Sequence, residues 1–149
     1  MTIHATLHRA HGALTTLSNG RHAWLSDVNQ TMGSRDQAPD PHDLLDSALA
    51  ACTVLTLELY IRRRQLAVTD LQVRVEHVES RDEQGRVHYR LERHLSIEGD
   101  LSDAERAKLL EIAGKCPIHR ILEGDVEVQT AWATPDQVKP TAPDGPVSG

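Results

Sequence analysis

The distribution of apolar and polar positions divides the chain into five stretches. In the first, Ile3, Ala5 and Leu7 alternate with polar residues, and the runs 14–17 and 22–25 flank Ser18-Asn19-Gly20-Arg21. Alternation indicates strands with one buried face, and Asn-Gly between two such runs predicts a hairpin whose two turn positions take positive φ. Residues 26–39 carry no periodicity and are expected to form a loop.

A helix is expected next, because Asp40 can cap, Pro41 suits the first helical position and Asp43 favours the positive end of the helix dipole. From Leu44 to Ile61 the run is apolar nearly all the way round, which predicts a helix buried on most of its sides. Asp46 and Glu58 interrupt it, so a core helix is expected rather than a membrane span. Arg62, Arg63 and Arg64 close it on the side that favours cations.

Two strands follow. Leu71, Val73 and Val75 alternate with polar residues; after a turn at 80–86, Val87, Tyr89, Leu91, Leu95 and Ile97 share one face up to Gly99. Arg93 falls in phase with that apolar set. Either a bulge or edge position exposes it, or it is a charge aimed into a pocket.

Ser102 and Glu105 form a capping-box pattern that opens a second helix, with Leu109, Leu110, Ile112 and Ala113 on its apolar face. Gly114 and Pro117 interrupt that helix around Cys116. A short turn at 118–122 leads to a last expected strand, Val126 to Trp132. The Pro-rich residues 135–149 are expected to be a flexible extension of a single domain spanning 1–134. Strands grouped in runs rather than alternating with helices argue an α+β fold.

Composition narrows the chemistry. The chain has 149 residues, no Phe and only 3% aromatics, so its core must rest on Leu, Val, Ile and Ala. A net charge of -6 with scattered basic residues argues against nucleic-acid binding. Neither a signal peptide nor a membrane span is expected, which points to the cytoplasm. There is no phosphate-binding glycine motif and no serine elbow. The nine histidines are dispersed without metal-ligand spacing, so no metal is expected.

The two cysteines remain. Two thiols in a reducing compartment are free or redox-active rather than a permanent staple. Cys52 alone, among alanines in an apolar helix, reads as a small buried hydrophobe. Cys116 stands at a helix break before Pro117, with Lys115, His119 and Arg120 nearby, surroundings that favour a thiolate.

Pro41-His42-Asp43-Leu44-Leu45 with Ala48-Leu49-Ala50-Ala51-Cys52-Thr53 resembles the first cysteine motif of the OsmC/Ohr family of thiol-dependent hydroperoxide reductases. Gly99 to Ser102 and Leu109 to Arg120 resemble the second, and Asn19-Gly20-Arg21-His22 is similar to the OsmC-like branch. The resemblance spans residues 3–132. It implies an intertwined homodimer, with antiparallel sheets wrapped around long central helices.

It also implies a peroxidase acting on organic hydroperoxides or H2O2 in the response to oxidative stress. In that scheme Cys52 is the attacking thiolate and Cys116 the resolving thiol, and the disulfide between them is reduced by an external dithiol, such as a lipoylated protein, without a bound cofactor. Family members activate the attacking thiol with an Arg oriented by a Glu. Here His42 occupies the place of the Ohr glutamate, with Asp43 next to it, and the Ohr arginine falls near His11. Arg21, ahead of Arg9, is the preferred substitute, so the implied site is Cys52, Cys116, Arg21, Asp43 and His42. The alternative is a non-catalytic ligand-binding or redox-sensing dimer on the same fold.

Overall fold

The computed structural model describes residues 1–139, which form two compact units: 1–44 with the chain from Val128 onward, and 45–127. The expected α+β composition is present. In the first unit, strands β1 (His4–Leu7), β2 (Thr15–Ser18) and β3 (Ala23–Ser26) make an antiparallel sheet in that order, with Leu17 opposite Trp24.

The expected turn between β2 and β3 forms, but by a different device. Only Gly20 takes positive φ, at 87°. Asn19 instead accepts the N–H groups of Arg21 and His22 on its side-chain oxygen, at 3.0 and 2.8 Å. An Asx turn of this kind needs no left-handed asparagine.

Residues 26–39 form the expected loop, and one carboxylate organises it. Asp27 is 1% exposed and accepts from the Ser34 hydroxyl and from the N–H groups of Val28 and Gln37, the latter two at 2.8 and 3.0 Å. These bonds hold the Asp27 carboxyl below the ordinary carboxylate range, Ser34 foremost, against the opposing effect of burial. Ser34 also explains Gly12: a Cβ there would stand 2.6 Å from the Ser34 Oγ, at a φ of +72°.

Helix α1 (Pro41–Arg64) opens as the sequence predicts. Asp40 and Asp43 cap each other, the Asp43 N–H donating to Asp40 at 2.9 Å and the Asp40 N–H to Asp43 at 3.1 Å. The helix is long and apolar enough to cross a membrane by length and composition. Contrary to the expectation, it is not buried on most of its sides. Only Leu49, Thr53, Leu57 and Ile61, spaced by four, form a buried stripe, while Leu55 and Leu59 are 63% and 62% exposed. A single chain of this size covers one face of such a helix and leaves the other open.

In the second unit, β4 (Ala67–Arg81) and β5 (Val87–Asp100) form a long antiparallel hairpin. Strand β5 runs past Gly99, where the sequence suggested an end. Gly99 lies opposite Val68 at the hairpin's one register shift, and a Cβ there would meet the Ala67 carbonyl oxygen at 2.0 Å. The residue is therefore a close-approach glycine inside the strand rather than a terminator.

Helix α2 (Asp103–Ala113) starts on the expected capping box. The Glu105 N–H donates to the Ser102 hydroxyl at 3.1 Å and the Ser102 N–H to the Glu105 carboxylate at 2.8 Å. Leu57 and Ile61 of α1 meet Leu109 and Ala113 of α2 in the core, with Leu71, Leu95 and Ile97 of the hairpin packed against them. Helix α3 (Pro117–Glu123) follows directly.

No strand forms over Val126–Trp132 among the described residues, contrary to expectation. Its alternating side chains Val126, Val128 and Trp132 are 65%, 83% and 103% exposed. The pattern is that of a strand, but a ladder needs a second strand, and among the described residues no strand pairs with it. Pro135–Val138 is a short helix, α4, and the Val138 carbonyl stands 2.8 Å from the His4 ring. Residues 140–149 of the expected flexible extension lie outside the described residues.

Candidate active site

The site lies entirely in the second unit, where α1, β5 and α3 converge. The order of the chain explains why. Thr53 belongs to the buried stripe of α1, so its neighbour Cys52 sits at the edge of that stripe, half-buried. Proline at the first position of α3 leaves Cys116 as the N-cap, fully buried, with its sulfur accepting the His119 N–H at 3.3 Å. The two thiols are free and lie side by side, Cys52 donating to the Cys116 sulfur.

Arg93 is the charge beside them. Its register partner is Val75 in an unbroken stretch of the hairpin, so no bulge diverts it, and it points with Leu91 and Leu95 toward the helices. One guanidinium nitrogen donates to the Thr53 hydroxyl at 3.0 Å, and the other lies 3.4 Å from Nδ1 of His119. The second alternative left by the sequence, a charge aimed into a pocket, is the observed one.

Thr53 connects the cation to the thiols. Its hydroxyl accepts from Arg93 and has one proton to give, with the Leu49 carbonyl at 2.7 Å and the Cys116 sulfur as the two acceptors. Burial pushes the Cys116 thiol up. The His119 N–H, the Cys52 thiol, the Thr53 hydroxyl and the Arg93 charge together outweigh it and hold Cys116 below the ordinary thiol range.

A cavity of about 470 Å³ adjoins these groups. Leu49, Leu91, Leu95 and Leu110 supply apolar lining, and Arg93, His119 and Tyr89 supply polar lining. Tyr89 donates to Asp46 at 2.9 Å and stacks on His77, which also contacts Asp46. The arrangement suits a small molecule with an apolar body and a polar end delivered near a pair of thiols.

Of the residues that the sequence singled out, the structure brings Cys52 and Cys116 together. The other three belong to the first unit. Arg21 is exposed in the β2–β3 turn, its N–H held by Asn19. His42 is the second residue of α1, 3.9 Å from Asp40, and Asp43 is engaged in the reciprocal cap. Thr53 and His119 were not singled out as site residues, although Thr53 adjoins Cys52 in the first motif and His119 follows Pro117 in the second.

Glu76, Glu92 and His94 stand close enough on the exposed hairpin to hold a cation. Arg74 and Arg90 already pair with the two carboxylates, at 2.9 and 2.8 Å. This donor set is therefore neutralised by ion pairs and unlike a metal centre.

Residues 33–131 match the family described as OsmC-like protein. No curated protein matches the sequence. Among solved structures, an OsmC-like protein from Mycoplasma pneumoniae is 23% identical, with a TM-score of 0.71 over 83% of this chain and 86% of the other. An organic hydroperoxide resistance protein from Elizabethkingia anophelis, with thiocyanate bound, is 23% identical with a TM-score of 0.65, covering 85% and 91%. The organic hydroperoxide resistance protein OhrB of Bacillus subtilis is 19% identical with a TM-score of 0.62, covering 86% and 93%.

Proposed function

From the premise that the chain belongs to the OsmC-like family, we propose that it is a thiol-dependent hydroperoxide reductase using Cys52 and Cys116. The observation that carries the proposal is the pair of free thiols in hydrogen-bond contact beside the Arg93 guanidinium. Two relatives of the same fold are named for organic hydroperoxide resistance, which supports the reading.

The roles follow from exposure. Cys52 is the half-buried thiol, so it meets the peroxide; Cys116 is fully buried and meets Cys52. Cys52 gives its proton along its hydrogen bond to the Cys116 sulfur and attacks the terminal peroxide oxygen. An S–O bond forms, the O–O bond breaks, and the departing alkoxide takes the proton back from Cys116 and leaves as alcohol. The Cys116 thiolate then attacks the sulfenic sulfur, forming the disulfide and releasing hydroxide, which solvent protonates to water. An external dithiol, a lipoylated protein for example, returns two electrons and two protons. Arg93 opposes the desolvation that would otherwise keep the Cys116 thiol neutral.

The protein is further proposed to work as a homodimer in the cytoplasm. A second copy would cover the apolar face of α1 that carries Leu55 and Leu59, and would offer a ladder to Val126–Trp132. Light scattering should then give twice the 16.5 kDa chain mass. A particle of 16.5 kDa would sink the dimer.

Consumption of an alkyl hydroperoxide with a dithiol tests the chemistry. Cys52→Ser should abolish turnover, and Cys116→Ser should stop it after one equivalent. A Cys52→Ser protein as fast as the parent would refute the mechanism. A second reading, a ligand-binding or redox-sensing dimer, is favoured by His42 standing where the resemblance to the Ohr branch implies a glutamate, and by the apolar cavity. Slow, partial thiol oxidation together with saturable binding of an apolar ligand would select it.

A further inference from the structure

A connected line of side chains in the second unit leads from Arg93 away from the thiols, through His119 to Glu123. Arg93 carries only donors, so His119 must accept at Nδ1, and the proton of its neutral ring lies on Nε2. That nitrogen faces the Glu123 carboxylate at 2.9 Å, one helical turn further along α3. The line therefore runs Glu123, His119, Arg93, Thr53, and ends at the Cys116 sulfur that the Thr53 hydroxyl reaches.

Each link has one consistent direction. Glu123 accepts from Nε2–H and fixes the tautomer; Nδ1 is left as an acceptor; Arg93 is held by one hand on His119 and by the other on Thr53. A protonated His119 would turn an N–H toward the guanidinium and break the middle link. The same ring also lines the cavity, so its orientation decides whether Arg93 stays over the thiols or turns into the open space.

We propose that His119, oriented by Glu123, is a positioning residue that holds Arg93 against Thr53 and the two sulfurs. The inference rests on the hydroperoxide-reductase reading for its purpose, but its test does not require turnover.

In the Cys52→Ser background only one thiol remains, and absorbance near 240 nm against pH follows its ionisation in the folded protein. Removal of the ring in His119→Ala should raise the midpoint of that titration by about one pH unit, while the His119 backbone N–H to the sulfur is retained. Two isosteric variants separate positioning from packing. His119→Asn places an oxygen near Nδ1 and should restore most of the shift by accepting from Arg93. His119→Gln places its amide near Nε2, serves Glu123 alone and should restore little. Glu123→Ala should give a smaller rise in the same direction. Thermal melts of the four variants should agree within a few degrees, so that a shift reports the charge and not the fold.

A midpoint unmoved in His119→Ala, or a Gln variant that restores as well as Asn, would overturn the relay. A relay confirmed by titration in a protein that does not consume hydroperoxide would leave the positioning intact and refute the reductase reading instead.

Discussion

The Asp27 loop and the thiol site are both buried polar constructions, and they are built in opposite ways. The Asp27 carboxylate is satisfied by Val28, Ser34 and Gln37, all within ten residues of it. The thiol site draws Thr53 from α1, Arg93 from β5, and Cys116 and His119 from the start of α3, so the two hydrogen bonds of Arg93 span 40 and 26 positions. The first charge is fixed by its own loop and can serve only to hold that loop. The second depends on the whole packing of the unit, and its groups are left with unshared capacity: a hydroxyl proton with two acceptors, a half-buried thiol, a guanidinium beside a cavity. Local satisfaction produces stability, whereas satisfaction across elements leaves room for chemistry.

Arg93→Ala separates the two constructions most strongly. Activity should fall by about 100-fold in kcat/KM, the usual loss when a preorganised donor beside developing charge is removed. Melting should shift little, because Thr53 keeps its bond to the Leu49 carbonyl. Arg93→Lys should recover only part of the activity, since one ammonium cannot reproduce the planar fork that serves Thr53 and His119 together. A large loss of stability with normal activity in the surviving folded protein would place Arg93 with Asp27, as a structural charge.

Asp27→Asn is the converse experiment. It should lower the melting temperature by a few degrees and leave the thiol titration where it is. The sign of its pH dependence follows from a folded-state pKa held below the ordinary value of 3.8. Such a carboxylate contributes stability that is fully present above the unfolded value and lost as pH falls through the folded one. The difference in stability between parent and variant should therefore be complete at pH 7 and shrink below about pH 4. Urea melts at a series of pH values measure it, and a gap that widened in acid would contradict the assigned hydrogen bonds.

The same contrast governs what the sequence could reveal. The caps at Asp40 and Ser102, the hairpin phase of β5 and the helix break at Cys116 were legible because each is written in residues a few positions apart. Arg93 was legible as an anomaly, a charge in an apolar phase, though not as a partner of Thr53, because register across forty residues is not local information. The organising role of Asp27 within the expected loop was not legible for another reason: a carboxylate accepting backbone N–H groups leaves no periodic signature. The exposed faces of α1 and of Val126–Trp132 mark a different boundary, since apolar pattern tells that a surface is to be covered and is silent about which chain covers it.

Arg21, with His42 and Asp43, tests the comparison at its weakest point. These residues were chosen by resemblance, and each has a local occupation: a turn for Arg21, the start of α1 for His42 and the reciprocal cap for Asp43. If charge at the thiols depends on direct contact, Arg21→Ala should change kcat/KM by less than about threefold, and that change should vanish in high salt, because exposed charges are screened beyond about 8 Å at physiological ionic strength. The Arg93→Ala loss should persist in the same salt, since a hydrogen-bonded, part-buried guanidinium is shielded from ions. A loss above tenfold for Arg21→Ala that resists salt would move the activating cation to Arg21, supplied across a dimer, and would reduce Arg93 to a brace for Thr53.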